Sequence, residues 1–264
     1  MPESPVRSLY LGMNAKPWQG VEQVSTSQQH PLGTFFDDEF GRRYRYGLAG
    51  GVALTAGMIV SGATLGGATT TLQSVTIVNT AVAQGATRVL LTAITTAQAA
   101  NLYDEGWASI WDNTITSVYT RRIKTSGPLS LTGAADLASC IDLYDSLPVA
   151  LDTADRCALQ VNPFKNIVAN PAGRIGTGLP LGGVMCAVPL ANYCWVQTKG
   201  MFGFRIKDAT TNIQAGPVGP ATTTLGTLVS CLEADTAAAY MATIGWSTAL
   251  WLDEYSGIVN LMCE

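Results

Sequence analysis

The sequence predicts a mainly β fold, a β-sandwich or barrel-like domain preceded by an extended N-terminal arm. Three observations carry that expectation. Apolar residues recur with period two in segment after segment, Gly, Pro, Asn and Asp punctuate the intervals, and runs with helical periodicity are few and short. A chain of 264 residues can form one large domain or two modest ones with a real core.

The arm comes first. MPESPVRSLYLGMNAKPWQGVEQVSTSQQHPLGTFF is broken by prolines and polar spacers and carries isolated large groups, Tyr10, Trp18, Phe35 and Phe36. It has too little periodicity to form an element alone, and its aromatic anchors seek burial, so residues 1–35 are expected to order on their own domain or on a neighbouring subunit. Residues 36–264 then form the β-rich domain, with room for two subdomains.

From Tyr46 to Thr87 no residue is charged, and GLAGGVALTAGMIVSGATLGG has the length of a membrane span. Its glycines argue otherwise, because each costs a helix roughly 1 kcal/mol relative to alanine. A series of short strands and turns is expected. Further along, strands are expected at SVTIVN (74–79), TRVLLTA (87–93), WASIWD (107–112), VYTRRIK (118–124), CIDLYD (140–145), NIVAN (166–170), VMCAV (184–188), LVSCLE (228–233) and IVNLMC (258–263). The alternation is clearest in CALQVN, which puts Cys157, Leu159 and Val161 on one face, and in YCWVQT, which sets Tyr193 and Trp195 opposite Cys194, Val196 and Thr198. TTAQAANLYDEG (95–106) and LEADTAAAYMAT (232–243) carry helix-forming alanines and acids but are short enough to serve as connections.

Charged residues make up only 13% of the chain and hydrophobic ones 47%, so much of the surface is uncharged or buried against other chains. An oligomer or assembly component is favoured. The formal net charge of −4 argues against general nucleic-acid binding, which needs clustered Lys and Arg. Of the six cysteines, at 140, 157, 186, 194, 231 and 263, none forms a C-x-x-C pair, and the single histidine, His30, is remote from them. No zinc spacing results. The opening MPESPVRS has neither a basic nor an apolar leader region, so reduced, buried thiols in a cytoplasmic product are expected.

Catalytic constellations are weak. RIGTGLPLGG (174–183) has G-x-G spacing, but Pro180 stands where a phosphate loop would need a helix, so turns and a close approach of backbones are expected instead. A Ser-His-Asp or Cys-His set would require His30 to be carried over the core. Asp37, Asp38, Glu39, Asp104, Glu105, Asp253 and Glu254 are candidates for paired carboxylates of the glycosidase type, yet sit as loop acids do. Calcium binding by Asp37 to Glu39 lacks the alternating ligands and turn glycine.

The most distinctive segment is FDDEFGRRYRYGLAGG (36–51). Three acids precede Arg42, Arg43 and Arg45, interleaved with Tyr44 and Tyr46. In an extended chain Arg43 and Arg45 share one face, and Arg42, Tyr44 and Tyr46 the other. Two readings stand side by side: an interface block rich in the residues that dominate binding energy, or a locally salt-bridged strand entering the domain.

FGRRYRYGLAGGVALTAGMIVSG, VNPFKNIVANPAG, PLANYCWVQTKG and the closing EYSGIVNLMC occur in an order and at spacings that resemble tailed-bacteriophage virion proteins of the head decoration, or cement, type. The resemblance covers residues 36–264. It implies a homo-oligomeric β protein, a trimer, bound to the outside of an icosahedral shell and without enzymatic activity. That type has no motif-defined catalytic or cofactor residues, and the cysteines, Trp107, Trp111 and Trp251 are departures from it. The expectation is therefore a structural virion protein on the capsid exterior, assembled in the bacterial host cytoplasm. Its partners would be the major capsid protein and its own copies, with no cofactor, metal, nucleic acid or membrane. Contacts are expected from Trp18, Phe35, Phe36, Arg42, Arg43, Tyr44, Arg45 and Tyr46. Two other classes stand beside it: a receptor- or glycan-binding head fibre or tail component, and a cell-wall hydrolase using loop carboxylates.

Overall fold

Alternating apolar residues organise two separate β units in the computed structural model, which describes residues 19–62, 71–77, 81–92, 98–111, 118–129, 139–170, 180–205, 216–220, 228–230, 243–247 and 257–263. One unit comprises Met1–Leu65 and Pro163–Glu264, and the other, Gly66–Asn162, is inserted between them in sequence. This division differs from an arm followed by a domain, since the boundary expected at residue 35 falls inside the first unit. All described elements are strands, and all paired strands are antiparallel.

In the first unit the strands are β1 (Phe35–Asp37), β2 (Arg43–Leu48), β3 (Ile59–Ser61), β10 (Val168–Ala169), β11 (Pro180–Val184), β12 (Tyr193–Phe204), β13 (Gly216–Pro220), β14 (Leu228–Ser230), β15 (Gly245–Ser247) and β16 (Gly257–Met262). They pair in the order β10-β3-β11-β12-β16-β15-β13-β14, with β2 joined to β12 and β1 joined to β2. The long strand β12 is the spine of this sheet. Its first half pairs with β2 and its second half with β16, and a register shift between Gln197 and Lys199 separates the two. A bulge there turns the strand, so one continuous segment serves two packing layers. Cys194 and Val196 enter a cluster with Val60, Phe164, Ile167 and Val184, whereas Trp195 points the other way, to Leu32, Tyr44 and Tyr46. Farther along, Phe202 and Phe204 pack with Ile59, Val218, Val259 and Leu261. The alternation expected for YCWVQT is thus present, with both faces buried.

Glycine makes the β11–β12 contact possible. A Cβ on Gly182 would lie 2.1 Å from the Gln197 carbonyl oxygen, and one on Gly183 would lie 2.2 Å from Cζ of Phe202. Gly182 also has φ +146°, which side chains disfavour. The strand therefore occupies PLGGV, and not VMCAV as the sequence suggested; after Val184 the chain bends, and Val188 forms only an isolated bridge to Leu54. Residues 174–179 lie outside the described residues.

The inserted unit closes on itself. Its strands β4 (Thr71–Ile77), β5 (Arg88–Thr92), β6 (Trp107–Trp111), β7 (Val118–Ser126), β8 (Cys140–Leu143) and β9 (Arg156–Gln160) form a barrel in the order β4-β5-β8-β7-β6-β9. β6, β7 and β8 run as a meander and β9 returns beside β6, a Greek-key connection. Closure leaves no open edge for unwanted strand pairing. Period two fills the interior with Val89, Leu91, Ala108, Ile110, Ile123, Ile141, Cys157 and Leu159, as expected of a small barrel.

Of the two alanine-rich segments, the first is described in part and is a connection, as its shortness allowed. The described portion of TTAQAANLYDEG is a bridge at Gln98 followed by turns, with Asn101 and Glu105 at φ 65° and 60°. Its alanines favour a helix only weakly, and the tertiary contacts of Tyr103 and Gly106 outweigh that preference. LEADTAAAYMAT lies outside the described residues apart from Thr243. Within GLAGGVALTAGMIVSGATLGG, residues 47–62 form the end of β2, isolated bridges and β3, as short strands and turns should. Among the described residues no helix is long and apolar enough to cross a membrane.

Candidate interaction surfaces

The acidic-to-basic segment folds into a hairpin that brings its own charges together. β1 and β2 pair Phe35 with Arg45, Phe36 with Tyr44 and Asp37 with Arg43. Arg43 donates from Nε to Asp37 Oδ1 at 2.6 Å and from a terminal nitrogen to Oδ2 at 2.8 Å. At the turn, Asp38 Oδ1 accepts the backbone N–H groups of Phe40 and Arg42, each at 2.9 Å, and Oδ2 accepts Arg42 Nε at 2.6 Å. Gly41, with φ +77°, supplies the left-handed residue this tight loop needs. The Arg43 bonds hold the Asp37 carboxyl below the usual carboxylate range; Asp38 is also held low, by hydrogen bonds from Arg42 and Phe40 that outweigh the opposing effect of its burial.

Aromatic rings complete the hairpin. The Arg43 and Arg45 guanidinium carbons lie 5.1 and 5.8 Å from the Phe35 ring centre, and that of Arg42 lies 5.7 Å from Phe40. Arg45 also donates to the Gly33 carbonyl at 3.1 Å. The locally salt-bridged strand is therefore the arrangement found. Phe35 and Phe40 remain exposed, Phe40 at 76%.

Tyr44 and Tyr46 do not face outward. Both are fully buried, so the expectation that they contact a partner is corrected: alternation along β2 turns them toward Trp195 while Arg43 and Arg45 stay at the surface. Burial pushes both phenols up to about 12. Phe36 is half-buried, stacked on Tyr44 at 6.1 Å and lying 6.3 Å from Trp195. His30 sits 5.2 Å from both Tyr46 and Trp195, and burial lowers its pKa.

Gln19, which the sequence did not single out, ties this cluster together. Its carbonyl accepts the Trp195 indole N–H at 2.9 Å, and its Oε1 accepts the Tyr46 hydroxyl at 2.8 Å. Its Nε2 donates to the carbonyls of Gln23 and Tyr193. Ser25 adds a bridge to Tyr193. Residues 19–34 of the expected arm thus order on the first unit, with Gln19 and Leu32 buried in it. Trp18 and Tyr10 lie outside the described residues.

The other candidates for chemistry are placed as follows. Asp104 accepts both the backbone N–H and the hydroxyl of Ser126, at 2.7 and 3.0 Å, and so closes a barrel loop. Asp253, Glu254, Trp251 and Cys231 lie outside the described residues. Cys140, Cys157, Cys186, Cys194 and Cys263 are unbridged, and burial pushes the Cys157 and Cys194 thiols up to about 12. Among the described residues no group of three or more His, Cys, Asp or Glu could hold a metal ion.

A surface that the sequence reading did not identify lies on the sheet of the first unit. Met201, Asn260, Trp246 and Pro217 form one cross-strand row over β12, β16, β15 and β13. Ile258 and Met262 flank Asn260 on β16. Met201, Trp246, Ile258 and Met262 are exposed by 50, 51, 40 and 58%, while Val259 and Leu261 point inward and are fully buried. A one-sided antiparallel sheet ordinarily sets polar residues on its outer face, and this row departs from that pattern. IVNLMC carried a trace of it, being apolar at both even and odd positions.

No protein family matches the chain, and neither a curated protein nor a solved structure matches it.

Proposed function

We propose that this chain is a non-enzymatic structural protein of a tailed-phage virion, a cement that binds the outer surface of the capsid as a homo-oligomer. The observation that carries the reading is the apolar row of Met201, Trp246, Ile258 and Met262 on a sheet whose other face is already packed. Such a row is suited to burial against a sister subunit or a capsomer. Asn260 at its centre supplies the hydrogen-bonding group that fixes register. Phe35 and Phe40, carried with Arg42, Arg43 and Arg45 on the hairpin, form a second contact element of the kind enriched at interface hot spots. A shell offers many equivalent sites, so modest contacts repeated over an oligomer hold the coat through avidity.

The test is to mix the purified protein with shells of the encoding phage that lack it, and to measure mass in solution and co-sedimentation. An oligomer that saturates the shell at many copies is the expected result. A monomer at high concentration that leaves the shells unbound overturns the proposal.

A further inference from the structure

The barrel carries two tryptophans on its outer wall in a repeated arrangement. On β6 the inward residues are Ala108 and Ile110, both fully buried, so Trp107, Ser109 and Trp111 face outward. The register across β7 and β9 sets Trp107 between Arg122 and Gln160, Ser109 between Thr120 and Ala158, and Trp111 between Val118 and Arg156. Each tryptophan therefore has an arginine as its direct cross-strand partner, Arg122 for Trp107 and Arg156 for Trp111; the Arg122 side chain is only 20% exposed, and that of Arg156 is exposed. Four residues along a strand put the two indoles about 13 Å apart. Among the described residues of these three strands, the small side chains of Ser109, Ala158 and Thr120 lie between them.

Charge on this face runs against its surroundings. The barrel unit holds eight acids and five bases, yet none of the nine positions is acidic and two are arginine. Arg122 is positioned by the Tyr144 ring, 5.7 Å from its guanidinium carbon, and by Glu105 at 4.0 Å. Arg156 is exposed.

The geometry points to a binding site for an acidic oligosaccharide, a chain of uronate sugars laid along β6. A pyranose has a flat C–H face that stacks on an indole and a rim of hydroxyls that suits Gln160, Ser109 and Thr120. A uronate adds a carboxylate, which a neighbouring guanidinium receives with two parallel hydrogen bonds. The tryptophan–arginine register occurs twice, at a separation that fits a short oligosaccharide, and the exposed Arg156 beside Trp111 is the guanidinium that meets the carboxylate. A protein partner would call for an apolar centre, and here the centre is Ser109, Ala158 and Thr120. A single-stranded nucleic acid would use stacking too, but needs a basic groove, and this unit is acidic on balance. The inference concerns the inserted barrel alone and does not depend on the shell-binding reading of the first unit.

The experiment titrates the full-length protein calorimetrically with a galacturonic acid hexamer, a neutral maltohexaose and an oligothymidylate of similar length. Binding of the uronate hexamer ahead of the other two is expected. W107A and W111A should each weaken it about tenfold or more, in line with the cost of deleting a stacking ring. R156Q should weaken the uronate and leave maltohexaose unchanged. Quenching of the wild-type tryptophan emission by the hexamer provides a readout that no variant's folding can compromise. No uronate binding, equal affinity for the neutral sugar, tighter binding of the oligothymidylate, or affinity unmoved by all three variants overturns the inference.

Discussion

The indole N–H of Trp195 and the backbone carbonyl of Gln19, 176 residues apart in sequence, meet at 2.9 Å in the buried centre of the first unit. This bond ties the start of the described chain to the spine strand β12. Trp195→Phe keeps most of the packing and strands the Gln19 carbonyl. Unfolding by denaturant should show a loss of about 1–3 kcal/mol, the cost of an unsatisfied buried group. Gln19→Leu leaves that backbone carbonyl in place but removes the side-chain acceptor of the Tyr46 hydroxyl, and should cost a similar amount.

Within the hairpin, burial and charge separate cleanly. Tyr46→Ala should destabilise the first unit by about 3–5 kcal/mol, as for other large aromatic truncations in a core. Arg43→Gln, which breaks a surface ion pair with Asp37, should cost less than about 1 kcal/mol. Chemical denaturation of both variants tests the order. An Arg43 effect as large as that of Tyr46 would contradict the division between core and surface drawn along β2.

Stability should fall at both ends of the pH scale. His30 has a folded pKa lowered by burial, so its contribution is present above about 6.5 and fades as pH falls and protonation favours the unfolded chain. Asp37 and Asp142 are held low by hydrogen bonds from Arg43 and Arg88, and Asp38 by hydrogen bonds from Arg42 and Phe40 against the pull of its burial; their contribution is present above about 3.8 and is lost at lower pH still. Tyr44, Tyr46 and Tyr103 are raised to about 12 by burial, so stability present below about 10 is lost as pH climbs toward 12. Melting temperature against pH, with tyrosinate absorbance at the alkaline end, measures both limbs. His30→Phe should flatten the loss between about pH 7 and 5.

Self-association should depend on the outer row. Trp246→Asp and Met262→Asp place charges where a contact needs apolar surface, and both side chains point away from the core. Sedimentation should show a smaller species with the melting temperature of the domain changed little, because surface substitutions ordinarily stay within about 0.5 kcal/mol. An unchanged mass in both variants would count against this face as the contact.

Gly183→Ala should fail by overpacking. Its Cβ would fall 2.2 Å from the Phe202 ring, which is itself buried, and Gly182→Ala would meet a backbone carbonyl that cannot move aside. A loss of about 1–3 kcal/mol or more is expected in thermal melts, with Gly51→Ala, which has open space, as the neutral comparison.

The local pattern already held much of this. Period two in CALQVN, WASIWD and YCWVQT named the strands, and in CALQVN and YCWVQT it sorted the residues by face, because the face a residue takes in a strand depends only on its neighbours along the chain. The salt-bridged strand in FDDEFGRRYRYG was one of two readings for the same reason, its acids and arginines being close enough to pair without help from distant parts; the hairpin itself was not foreseen. Even there, alternation alone did not show which face would be buried, and Tyr44 and Tyr46 turned out to lie inside because Trp195 and Leu32 cover them. VMCAV illustrates the limit: it is as apolar as a strand, but the pairing of β11 is decided by where Gly182 and Gly183 let two backbones approach.

Local sequence sets the class of the fold, mainly strand with short connections, since propensity, periodicity and turn residues are local properties. Tertiary structure alone decided that Gly66–Asn162 closes into a separate barrel, that Gln19 belongs to a core built around Trp195, and that Met201, Trp246, Ile258 and Met262 come together on one outer face. Those outcomes depend on which strands pair across long separations. That choice is made by the summed burial of many side chains, and no single segment carries it.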